Sequence, residues 1–117
     1  MLEQFYEAAH GDYDDVLARL RSPERITRFL HMFAKDPSYA SLEDALAAGD
    51  EEAAFRASHT LKGTAGDMGL TQLASTSSDV CEALRAHQLA AAEKLMPSAR
   101  DAYQLFTAAY QQYLVQE

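Results

Sequence analysis

His59 stands in the run Asp50–Met68, where helical spacing of about 100° per residue puts it on one face with Arg56, Gly63 and Gly66. Phe55 and Lys62 lie along the edge of that face. Solvent faces of helices ordinarily carry Glu, Lys, Gln and Arg, whereas this one has a histidine beside two interior glycines. Each interior glycine costs a helix about 0.5–1 kcal/mol relative to alanine. Two of them next to a histidine imply that something approaches the bare backbone there. Free imidazole titrates near pH 6.5, so at neutral pH it is a competent nucleophile. Arg56 and Lys62, one turn to either side, are well placed against the charge of a phosphoryl group on that ring. The chemistry this pattern suits is phosphoryl acceptance.

The rest of that reaction is missing from the chain. The sequence holds no Gly-rich nucleotide loop, no Walker lysine and no clustered acidic magnesium site. A histidine without the machinery to take phosphate from ATP must receive it from another protein, so no autonomous kinase activity is expected. Metal chemistry fares poorly, because Glu7-Ala8-Ala9-His10 is the only Glu-x-x-His and a di-iron bundle needs two plus further carboxylates. Cys81 reads as a small packing residue, and His10, His31 and His87 as surface or boundary residues. Phe55 fits a half-buried helix boundary as well as it fits docking. No metal or cofactor is expected on this chain.

The elements that must position His59 are punctuated clearly. The same segment buries a second seam, Ala54, Ser58, Leu61, Ala65 and Met68, at alternating spacings of four and three. Ser58 is its one polar member, and its hydroxyl can return a hydrogen bond to the preceding turn. Asp50 caps this helix, Glu51 and Glu52 suit the positive end of its dipole, and Gly69 stops it. Upstream, Leu2, Phe5, Tyr6 and Ala9 form a short stripe that Gly11 should end as a left-handed residue. Asp12 caps a turn with Val16, Leu17 and Leu20 inward. Ser22-Pro23 and Asp36-Pro37 are hydroxyl- or carboxylate-then-proline starts. The first opens a helix that buries Ile26, Phe29, Leu30 and Phe33, and the second one that buries Leu42, Ala45, Leu46 and Ala47, up to Gly49. Two more helices follow, about Thr71–Ala86 (Leu73, Val80, Leu84) and about Leu89–Leu114 (Leu95, Ala99, Ala102, Phe106, Ala109, Tyr113). Pro97 should kink or interrupt the last. Very short turns between four substantial helices predict an all-α, up-down four-helix bundle preceded by short N-terminal helices.

Composition narrows the function classes. At 117 residues the chain is expected to be one domain, 1–117. Ten Lys plus Arg against eighteen Asp plus Glu give a formal charge of −8, which repels a phosphate polyelectrolyte and argues against nucleic-acid binding. A single cysteine suits a reducing compartment. No apolar run has membrane-spanning length, and the first residues lack a signal-peptide pattern, so a cytoplasmic protein that does not enter the membrane is expected.

The run His59-Thr60-Leu61-Lys62-Gly63-Thr64-Ala65, closing at Met68-Gly69-Leu70, resembles the signature of histidine-containing phosphotransfer (HPt) domains. Phe33, Asp36, Gly49-Asp50 and Leu73 also fall where that family tends to have similar residues, so the resemblance spans most of the chain from about Ser22. It implies a four-helix bundle, His59 as phosphoacceptor, Lys62 near the phosphoryl group, and Gly63 as the small residue that leaves room for the partner. It also implies response-regulator receiver domains and a hybrid histidine kinase as partners in a phosphorelay, with magnesium held by the receiver. The sequence departs from the family pattern in two places. Ser58 replaces the usual alanine, and Val80-Cys81-Glu82 stands where many members carry Glu or Gln on the following helix. Two other functions fit the same resemblance: a receiver-binding bundle without chemistry, and the phosphoacceptor domain of a chemotaxis-type histidine kinase.

Overall fold

A computed structural model describes residues 1–115. Among them run seven helices: α1 (Leu2–Ala8), α2 (Tyr13–Leu20), α3 (Pro23–Ala34), α4 (Ser38–Ala47), α5 (Glu51–Asp67), α6 (Thr71–Arg85) and α7 (Leu89–Tyr113). The last four form the bundle. Consecutive members α4, α5, α6 and α7 pack side by side, and α1 lies against α7. Between α4 and α7, Tyr39 stacks on Tyr103 with ring centroids 3.9 Å apart, and Arg100 grips Glu43 with two N–H donors at 2.9 and 3.0 Å. Those charge-assisted bonds from Arg100 hold the Glu43 carboxyl below the usual carboxylate range.

Local capping chemistry accounts for most helix starts. Asp12, Ser22 and Asp50 each accept a backbone N–H from three residues on, at Asp15, Arg25 and Ala53. Pro23 occupies the first turn of α3. Asp36 acts one step differently from expectation: its carboxylate takes the Ser38 N–H at 2.8 Å, and Pro37 holds the N-cap position. Gly49 and Gly69 close α4 and α5 at φ of +69° and +70°.

The first turn corrects the sequence reading. The left-handed residue after α1 is His10, at φ 57°, and not Gly11. Gly11 is needed for proximity. A Cβ there would lie 2.6 Å from the Gly69 carbonyl oxygen and 2.7 Å from the Tyr6 ring. That contact lets the Asp12 N–H donate to the Gly69 oxygen at 2.8 Å, while the buried Tyr6 hydroxyl donates to the Met68 carbonyl at 2.6 Å. Arg19 of α2 adds bonds to the carbonyls of Gly66 and Asp67, both at 2.9 Å. These satisfy C-terminal carbonyls that a helix cannot pair for itself. The N-terminal helices therefore clamp the end of α5, the helix that carries His59.

The core follows the predicted stripes with a few exceptions. Leu2, Phe5, Tyr6, Ala9, Ile26, Leu30, Phe33, Leu42, Leu73, Val80 and Leu84 are buried, and Phe106 makes edge-to-face contacts with Phe5 and Phe33. Phe29, Leu17, Leu20 and Tyr113 are half-buried, and Ala47 is exposed. Leu95 is exposed as well, and Ala92 and Met96 fill the α7 seam before Ala99. Pro97 does not interrupt α7, which continues through it as one helix. The Glu93 carbonyl that loses its amide partner there belongs to an exposed flank, open to solvent.

Candidate functional site

The two faces of α5 separate as the spacing requires. Ala54, Ser58, Leu61, Ala65 and Met68 are buried, and the Ser58 hydroxyl donates to the Phe55 carbonyl at 2.9 Å. Arg56, His59, Gly63 and Gly66 are exposed, and Phe55 and Lys62 are half-buried at the margin. All six predicted site residues thus share one side of one helix.

The imidazole of His59 stands apart from the other three. His10 donates its Nδ1–H to the Gln72 side-chain oxygen. His31 shares a 2.6 Å hydrogen bond with the Tyr110 hydroxyl, and His87 donates to Glu51 at 2.6 Å. Among the described residues no hydrogen bond engages the ring of His59. Its neighbour is the Phe55 ring, 5.9 Å away between centroids, so one flank of the imidazole is apolar and the other faces solvent.

The cations divide into two kinds. Arg56 is bound to Glu52 one turn back at 2.6 Å, so the structure does not bring it to the imidazole as a free charge. Lys62 has no carboxylate among the described residues within ion-pair distance, and its ammonium stays available to an incoming anion. The sequence reading missed a third cation, Arg85 of α6. Its guanidinium sits 5.0 Å over the Phe55 ring, and its Nε–H donates to Glu82 at 3.2 Å. In an antiparallel pair turning at Gly69, residues at similar distances either side of the turn meet, and Phe55 and Arg85 are such a pair. Glu82 is exposed and engaged by Arg85, while Cys81 and Val80 are buried, so this stretch of α6 offers no side chain bonded to the His59 ring.

The glycines are open rather than packed. A Cβ built on Gly63 or Gly66 would meet nothing beyond the helix's own backbone within 4 Å. Neither glycine is required by the bundle. Gly63→Ala should therefore stabilise the helix by up to about 1 kcal/mol, from propensity alone. Gly63→Gln should also fold normally, with its melting temperature held or raised. Receiver-dependent phosphorylation should nevertheless fall, because a long side chain one turn from the imidazole occupies the approach. Thermal melts read beside a transfer assay check the opposite signs. Unfolding of Gly63→Gln, or normal transfer by a stable variant, would contradict the reading.

Between α2, α3 and α5 lies a groove of about 500 Å³ with an apolar floor of Leu20, Phe29, Met32, Phe33 and Met68, Thr64 on the α5 side, and Arg19, Asp36 and Asp67 also in its lining. It lies on the flank of α5, about 100° around the helix from Gly63, and neither glycine lines it. Among the described residues no three His, Cys, Asp or Glu side chains are grouped as metal ligands, and no helix is long and apolar enough to cross a membrane.

The bundle thus presents, on one face of α5, a solvent-facing imidazole without a hydrogen-bond partner and a lysine without a carboxylate partner among the described residues. The model of the Hpt domain family matches residues 1–114, and the chain belongs to that family. Hpt domains carry out histidine phosphotransfer in two-component systems, working with receiver domains and kinases. No curated protein and no solved structure matches the chain.

Proposed function

We propose that this protein is a phosphorelay intermediate with His59 as its phosphoacceptor. The observation that carries the reading is the free imidazole, the one histidine ring without a partner among the described residues, on a face cleared by Gly63 and Gly66. In the first half-reaction a ring nitrogen of His59 attacks the phosphorus of a receiver's aspartyl phosphate. The N–P bond forms, the P–O bond to the aspartate breaks, and the receiver's carboxylate leaves as an anion. The proton on the other ring nitrogen passes to solvent, which reaches the exposed ring directly. A second receiver's aspartate reverses these steps. Lys62 offsets charge on the phosphoryl oxygens; Arg85, like Arg56, is engaged by a carboxylate, and its guanidinium packs over Phe55 at the same edge. The receiver supplies magnesium. Gly63 and Gly66 admit its loops, and Phe55 offers an apolar contact.

The test is transfer from a phosphorylated receiver, set beside transfer from a histidine kinase supplied with ATP. The relay reading expects rapid label from the receiver, which is chased onward by a second, unphosphorylated receiver. Label only from a kinase domain would make the protein a kinase's substrate domain. Receiver binding without label would make it a sequestering bundle.

A further inference from the structure

The cations of this acidic chain are unevenly spent. Of ten Lys and Arg, four are tied to carboxylates: Arg19 to Asp15, Arg56 to Glu52, Arg85 to Glu82 and Arg100 to Glu43. Six have no such partner among the described residues, and four of those six, Arg21, Arg25, Arg28 and Lys35, belong to α3 and its flanks. Arg25, Arg28 and Lys35 follow the offsets i, i+3 and i+10, with Met32 at i+7, so they share one helix face. All are exposed, and Met32 is 60% exposed in their midst. Two acids border this face: Glu24 accepts a bond from the Ser22 hydroxyl, and Asp36, which lines the groove with Met32, accepts the Ser38 N–H. Arg21 stands at φ 67°, a conformation that glycine would adopt at lower cost. This is a basic stripe around an apolar knob, on a molecule of formal charge −8.

The stripe borders the groove beside the His59 face, because Phe29 and Met32 line that groove opposite Thr64 of α5. Thr64 is five residues beyond His59, about 7–8 Å along the helix axis and about 140° around it, so the groove runs along the flank of α5 next to the imidazole face and a partner covering that face reaches α3 across it. We infer that the outer face of α3 is the charge-reading part of the receiver-docking surface, and that it selects partners whose rim is acidic. The inference rests on the relay reading. A receiver presents carboxylates around its phosphorylated aspartate, and such a surface would be repelled by this protein's mean field. A local strip of unpaired cations reverses the sign at the place where contact must form. Complementary rim charge governs encounter rate and partner choice, and salt weakens it. An anionic membrane is the other surface that basic side chains around an exposed methionine could fit; the receiver is favoured because the stripe borders a groove on the helix that carries His59, and the chain is an Hpt domain.

The experiment uses the full chain and purified receiver domains encoded in the same genome, with magnesium, and measures binding by calorimetry at low and high salt. The probes are wild type, Arg25→Glu/Arg28→Glu/Lys35→Glu, the matching triple alanine variant and His59→Gln. Phosphatidylserine vesicles form a separate arm. For receivers that bind wild type, the triple glutamate variant should bind at least about tenfold more weakly at low salt, the alanine variant should fall between, and high salt should erase most of the difference. His59→Gln should bind like wild type. Equal binding by the glutamate variant with an unchanged melting temperature overturns the proposal, as does the absence of binding to any receiver. Stripe-dependent binding to vesicles alone would replace the receiver with a membrane. If receivers bind through the stripe and no phosphate reaches His59, this proposal stands and the phosphoacceptor assignment fails.

Discussion

His59→Gln is expected to abolish phosphoryl acceptance while leaving the bundle intact. The side chain is exposed, makes no hydrogen bond among the described residues and contributes nothing to the buried seam of α5. Glutamine keeps polarity and approximate size and is a good helix former, so the melting temperature should move by no more than a few degrees. It lacks the ring nitrogen, and no other group on this face is a nucleophile of comparable strength. The measurement is label retained after incubation with a phosphorylated receiver, together with helical content and a thermal melt. His10, His31 and His87 serve as internal controls, since each already gives its Nδ1 to Gln72, Tyr110 or Glu51. Substituting any of them should leave acceptance unchanged.

Lys62→Ala is expected to slow transfer roughly tenfold to a hundredfold, with a smaller effect on receiver binding. Hydrogen bonds to charged groups contribute about 1.5–3 kcal/mol, and a contact realised as the phosphoryl group transfers enters the rate at that scale. Lys62 is half-buried along its stem and carries no ion pair among the described residues, so its removal strands no buried carboxylate and should spare the fold. Rapid-quench measurement of the transfer rate, beside the dissociation constant for the same receiver, separates the two effects. An unchanged rate would show that Lys62 faces solvent throughout the reaction. Arg85 would then be the next cation to substitute, because it reaches the same edge over Phe55.

Which features were readable from sequence follows from the range of the forces that set them. Caps at Asp12, Ser22 and Asp50 and stops at Gly49 and Gly69 depend on a few adjacent residues, and they stand where the sequence puts them. The role of Gly11 is not legible locally because it is set by Gly69, far along the chain, and the left-handed φ falls on His10. The seam of α7 buries Met96 where the spacing predicts Leu95, a one-residue difference in register just before Pro97. The face of α5 was legible because a histidine, a lysine and two glycines break the ordinary composition of a solvent face. Arg85 was not, because its contact with Phe55 arises only when α5 and α6 pack. Arg56 lies on the face the spacing predicts and pairs with Glu52 one turn back, a contact that the Glu at i−4 makes legible in the sequence.

The location of the phosphate tests His59 most directly. Wild-type protein is incubated with a phosphorylated receiver, kept at alkaline pH where a phosphohistidine survives, and mapped by fragmentation mass spectrometry. One phosphate per chain is expected, on the imidazole of His59, lost on brief acid treatment and transferable to a second receiver. Phosphate on His10, His31 or His87, on a hydroxyl that holds it through acid, or on no residue at all would contradict it.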